Sequence, residues 1–209
     1  MAESKPMTYL PKADRGKRTF SESRRLTGTA GSIVQTARML FETNGVARTT
    51  VKEIAVEANV ARELIYYYFE DKQKLIEAVL DDYTEDVVES VIVWNEMRPF
   101  DDIPGGLREC VAPFRRTLYV NNGPRPMIAV LEEIGVRDAF LTYSVAETVA
   151  CIDANLVAHY AEYHQIAIDF VYEMFCVTIF GVIGLLKVDP NISDETLMRV
   201  IAQTLRLDT

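Results

Sequence analysis

The chain has 209 residues, of which 49% are hydrophobic and 25% charged, so it can form one large domain or a small domain joined to a larger one. Its three cysteines, Cys110, Cys151 and Cys176, are far apart in apolar helical surroundings, which excludes a disulfide framework and suits a reduced, cytoplasmic protein. The net charge of -9 is uneven: residues 1–80 hold 13 Lys/Arg against 10 Asp/Glu, while residues 81–209 hold 9 against 21, so the front is the half suited to meet an anion.

Residues 1–26 carry Pro6, Pro11 and Gly16 and seven Lys/Arg against three acids, with no apolar period. They are expected to form a flexible basic arm, with entry of Arg24 or Arg25 into a DNA minor groove as the alternative to a plain tail. Ile33, Ala37, Leu40 and Phe41 then mark one face of a helix that stops at Gly45, a left-handed cap. Thr50 and Glu53 make a capping box for a short second helix whose inner face is Val51, Ile54, Ala55 and Ala58. Asn59 can take the left-handed turn conformation, Val60 plugs the turn, and a third helix runs over about 61–69.

Asp71 reads as the N-cap of a longer fourth helix through Leu75, Val79, Tyr83, Val87 and Val91 to Trp94. Its acids Asp82, Glu85, Asp86 and Glu89 are expected on a wet opposite face. Beyond it the pattern predicts helices near 104–121, 125–134, 138–162, 165–187 and 193–207, with no strand. The fold class is all-α: an N-terminal three-helix helix-turn-helix unit over 27–72 and a C-terminal helical domain over 73–209. The most apolar run, from Met174 to Leu186, is 13 residues long. A bilayer span needs about 20, so no membrane role is expected, and the polar first residues show no signal peptide.

The short pair of helices carries the functional signal. "LIYYYF" sets Tyr66, Tyr67 and Tyr68 in succession, and three consecutive residues of a helix cannot all face a core. Ile65 and Phe69 point inward, with Tyr68 as a further candidate anchor, while Arg62, Tyr66 and Tyr67 face away. An outward face of this kind fits the DNA major groove, and the hydroxyls of Tyr66 and Tyr68 suit phosphate. Lys72 adds a cation where the next helix starts. Arg48 is placed near the backbone path, and Lys52 and Lys74 read as solvated charges. The alternative for Tyr68 is aromatic packing against the fourth helix.

Residues 30–80, with "LFETNGVARTTVKEIAVEANV" and "LIYYYFEDKQKLIEAVL", resemble the DNA-binding domain of the TetR family of transcriptional regulators. The resemblance implies an operator-binding homodimer, its two recognition helices about 34–36 Å apart, that usually represses and releases DNA when a small molecule occupies the larger C-terminal domain. It also implies DNA contacts from Thr50, Ala61, Arg62, Tyr66, Tyr68 and Lys72. Where the family often has Gly-Thr this chain has Glu63-Leu64, and Asn59 replaces a usual glycine. Glu63 repels phosphate yet can accept from a cytosine amino group.

In the C-terminal domain, Trp94, Phe114, Met127 and Tyr143 are candidates to line an effector pocket. Glu147, His159 and Glu173 are polar residues inside apolar runs and join them as candidates, with satisfied structural groups as the alternative. His159 and His164 are five apart and fall on different helix faces, so no metal pair is expected. The helices near 165–187 and 193–207 are expected to pair with a second copy, where Gly181 and Gly184 let backbones approach; a buried central helix in a monomer is the alternative. No phosphate loop or nucleophile with a His/Asp pair is seen, so neither an enzyme nor a cofactor is expected. A ligand-independent DNA binder or activator, and more remotely a helical enzyme, stay open.

Overall fold

The computed structural model describes residues 25–97, 110–112, 115–116, 118–120, 123–157, 161 and 165–207. Their element order is α1 (Gly28–Asn44), α2 (Val51–Glu57), α3 (Arg62–Phe69), α4 (Lys72–Met97), β1 (Tyr119–Val120), β2 (Gly123–Pro124), α5 (Pro126–Glu133), α6 (Arg137–Ile152), α7 (Val171–Val188) and α8 (Asp194–Thr204). The fold is all-α, with β1 and β2 as a single two-residue pair among the described residues. The described residues fall into two compact units, residues 25–86 with 124–141, and residues 87–123 with 142–207. The first unit thus holds the start of α4 and all of α5 besides the helix-turn-helix.

In the first unit, α1 buries Ile33, Val34, Ala37 and Phe41, a stripe at helical spacing. It ends where Gly45 takes φ +83° and returns its amide to the carbonyl of Phe41. The capping box forms as the sequence dictates: the amide of Glu53 donates to Thr50 Oγ1 at 3.2 Å, and the amide of Thr50 donates to Glu53 Oε2 at 2.7 Å. Asn59 has φ +53°, the conformation the turn requires. At the start of α4, Asp71 Oδ1 accepts from the amide of Lys74 at 2.8 Å. Both α2 and α5 pack on α1.

The acids of α4 are not on a wet face. Asp82 is only 5% exposed and Glu85 1%, while Asp86 and Glu89 are half-buried. Asp82 and Asp86 lie between two guanidinium groups. Arg38 Nη1 reaches Asp82 Oδ2 at 2.6 Å and its Nη2 reaches Asp86 Oδ2 at 2.5 Å. Arg25 pairs with the other oxygen of each, at 2.6 Å in both cases. Gln35 Nε2 adds a donor to Asp82 at 2.9 Å. Beside them Tyr83, fully buried, donates to Glu42 Oε1 at 2.9 Å and lies under the Arg38 guanidinium. Periodicity assigned these acids outward because it sees only the helix's own faces, whereas burial of a carboxylate depends on a cation from another element. Arg25 is therefore engaged inside its own unit; residues 1–24 of the expected arm, Arg24 included, lie outside the described residues.

In the second unit, α6 continues past Ile152 into one π-helical turn, Asp153–Val157, rather than as α-helix. α7 begins at Val171 and not near 165: residues 165–168 have no regular structure, and Phe170 stands in the left-handed region at φ +54°. α7 packs on α8. Arg115 holds the turn between them, with Nε donating to Asp194 at 2.9 Å and Nη1 to the carbonyl of Pro190 at 2.8 Å. α7 buries Thr178, Val182, Ile183 and Leu186, but Val177, Phe180, Leu185 and Val188 are exposed. By length and composition α7 is apolar enough to cross a membrane.

Candidate nucleic-acid interface

α3 is anchored by two residues one turn apart, Ile65 at 1% and Phe69 at 6% exposure. Two anchors on eight residues leave a wide outer arc. Tyr66, Tyr67 and Tyr68 are 38%, 78% and 43% exposed, so the inward anchor is Phe69 rather than Tyr68. Arg62 and Glu63 are exposed in the first turn. Arg62 Nη2 donates to Tyr66 Oη at 2.8 Å, with its guanidinium carbon 5.3 Å from that ring's centroid. This pair holds the arginine along the helix face instead of free in solvent. Tyr67 and Tyr68 meet edge to face at 5.2 Å, which steadies the outer rings.

The remaining sequence-derived positions flank this helix. Ala61 is its exposed N-cap and makes no side-chain cap. Thr50 is exposed, but its hydroxyl is occupied by Glu53, whose carboxyl is held below its usual range by the Thr50 amide and hydroxyl. Arg48 is exposed, with Nε donating to the carbonyl of Asn44 at 2.8 Å. Lys72 is half-buried and donates to the carbonyl of Val46 at 2.6 Å. Burial lowers the pKa of its ammonium, opposed by the nearby carboxylates of Glu133 and Glu53. The surface thus offers arginine and tyrosine hydroxyls on α3 and a lysine at the start of α4, the equipment for positioning on a phosphate backbone.

Sequence reasoning missed Glu133. Its carboxylate, from the end of α5, accepts from the amides of Val46 and Ala47 in the α1–α2 loop. Nothing local in "LEEIG" signals this, because the partners are 86 and 87 residues away. The effector candidates are scattered. Tyr143 is buried and Glu147 half-buried, one turn apart on α6, and Trp94 on α4 is half-buried. Glu173 is exposed on α7. Burial, then Cys176, Glu173 and Glu147, push the Tyr172 hydroxyl up, so the two glutamates share one neighbourhood. Met127 is buried on α5 in the first unit. Phe114 and His159 lie outside the described residues.

The family model described as "Bacterial regulatory proteins, tetR family" matches residues 33–79. Over 57 residues the chain is 42% identical to the HTH-type transcriptional regulator TtgR of Pseudomonas putida, covering 27% of each chain. Over 75 residues it is 35% identical to the HTH-type transcriptional repressor Rv3405c of Mycobacterium tuberculosis, 36% of this chain and 38% of that one. The chain therefore spans only about a quarter to two fifths of the length of these relatives. Among solved structures, Salmonella enterica GusR superposes with a TM-score of 0.62 at 20% identity, over 88% of this chain and 100% of that one. The multidrug binding protein EbrR, complexed with imidazole, gives 0.56 at 16% identity, over 85% and 90%. At these identities the structural likeness speaks to fold, and it reaches far beyond residues 33–79. Residues 33–79 therefore form a helix-turn-helix domain similar to that of the TetR family of transcriptional regulators.

Proposed function

We propose that the protein is a ligand-responsive transcriptional repressor that binds a palindromic operator as a homodimer and releases it when a small molecule binds in its C-terminal part. The observation that carries this reading is the outward face of α3, where Arg62, Glu63, Tyr66 and Tyr67 are exposed on a helix anchored only by Ile65 and Phe69. Repression is supported by the relative Rv3405c, called a repressor, and small-molecule response by EbrR, called a multidrug binding protein. Domain limits of 27–72 for DNA binding and 73–209 for effector binding and dimerisation belong to the same proposal, as does a cytoplasmic location.

Arg62 and the tyrosine hydroxyls supply backbone and base contacts. Glu63, set among them, favours a cytosine amino group and disfavours a close phosphate. Pairing of copies through α7 and α8 is supported by the exposed apolar stripe of α7. Gly181 and Gly184 lie along it, and a Cβ on either would meet nothing within 4 Å. Selection of bound fragments from the source genome, followed by gel shifts in rising salt, tests the proposal. A specific, salt-sensitive complex is expected; recovery of no common sequence at low salt would sink it. Quenching of Trp94 by candidate compounds, together with loss of the shifted band, tests the ligand response.

A further inference from the structure

The loop joining α1 to α2 is gripped by groups distant in sequence. Glu133 Oε2 accepts from the amide of Val46 at 2.9 Å and its Oε1 from the amide of Ala47 at 2.7 Å. Lys72 Nζ donates to the carbonyl of Val46 at 2.6 Å. The peptide groups of Val46 are therefore held on both sides, by a carboxylate from α5 and an ammonium from α4. Gly45 makes room: a Cβ there would stand 2.9 Å from Glu133 Oε2. Glu133 is also the last residue of α5, where the helix dipole disfavours a negative charge. The two amides supply the compensation that the helix end does not, through hydrogen bonds of the charge-assisted kind.

The loop so held leads directly into Arg48, Thr50 and the N-terminus of α2. We infer that Glu133 is a positioning residue for DNA binding: by fixing the amides of Val46 and Ala47 it sets where Arg48, Thr50 and Lys72 stand. This rests on the DNA-binding reading above. Two roles for the carboxylate predict opposite signs. A surface glutamate that merely adds negative charge near a polyanion weakens DNA binding, so its removal tightens the complex. A glutamate that organises the loop strengthens binding, so its removal loosens the complex.

The test uses the full chain, with Glu133→Gln and Glu133→Ala measured on fragments that the wild type selects. Glu133→Ala is expected to weaken binding about tenfold and Glu133→Gln, which keeps one acceptor, about threefold. Hydrogen exchange at the amides of Val46 and Ala47 should quicken in both. Val130→Ala, a buried change on the same helix, controls for lost stability and should leave affinity within about twofold well below its melting temperature. Unchanged or tighter binding in both Glu133 variants overturns the inference, and if the alanine variant does not fold the glutamine variant decides it. Should the wild type itself select no sequence, the DNA-binding reading falls, while unaltered exchange of the two amides would separately sink the clamp.

Discussion

The exposed tyrosines explain themselves once the anchors of α3 are counted. With Ile65 and Phe69 filling the inner stripe, the three tyrosines between them are left on the exposed side of the helix. A hydroxyl there has a use when a phosphate arrives. Tyr66→Phe should leave the melting temperature nearly unchanged, since exposed substitutions stay within about 0.5 kcal/mol. It should still weaken operator binding, because the hydroxyl that orients Arg62 at 2.8 Å is gone. A titration by fluorescence anisotropy beside a thermal melt separates the two effects. Asn59 was legible as a turn residue, and its φ of +53° follows from that. Asn59→Gly should be neutral to slightly stabilising, whereas Asn59→Val, β-branched in the left-handed region, should cost about 1–3 kcal/mol in a denaturant melt.

Between elements, local grammar and partner choice part company. The caps at Thr50 and Gly45, the turn and the inner stripes were readable because each depends on residues a few positions apart. The ends of α6 and α7 were not, and neither was the fate of the α4 acids. Asp82 and Asp86 look like solvent-facing residues until Arg25, Gln35 and Arg38 are brought over them. Arg38→Met should destabilise by about 3 kcal/mol, because it leaves a buried carboxylate short of its counter-charge; urea unfolding would measure this. Burial pulls Asp86 up, but its hydrogen bonds to Arg38 and Arg25 win and hold it below the ordinary value. A carboxyl depressed in the folded state contributes stability above its unfolded pKa of about 4, and that contribution fades as pH falls through the lower folded value. Melting temperature followed below about pH 4 should therefore drop more steeply for the wild type than for Arg38→Met. On α7, Val177→Glu should shift sedimentation towards a single copy while sparing the helix, since Val177 is exposed.

For the whole molecule, the sequence conveyed a basic front and an acidic rear, and the family model matches residues 33–79, within the front. A net charge of -9 is no bar to DNA binding when 21 of the 31 acids lie in the rear, two of them, Asp82 and Asp86, paired with Arg25 and Arg38. If the complex neutralises six or more phosphates, affinity should fall by about 10³-fold or more between 50 and 200 mM salt. The same ion-paired cluster dictates where the chain can be recombined. A chimera that transplants only the segment ending near Lys72 would carry Arg25, Gln35 and Arg38 onto a foreign helix with no carboxylates to receive them. It would also leave Asp82 and Asp86 behind, stripped of their cations. A splice placed after Asp86, with α5 brought along to supply Glu133, transfers the helix-turn-helix with its supports intact.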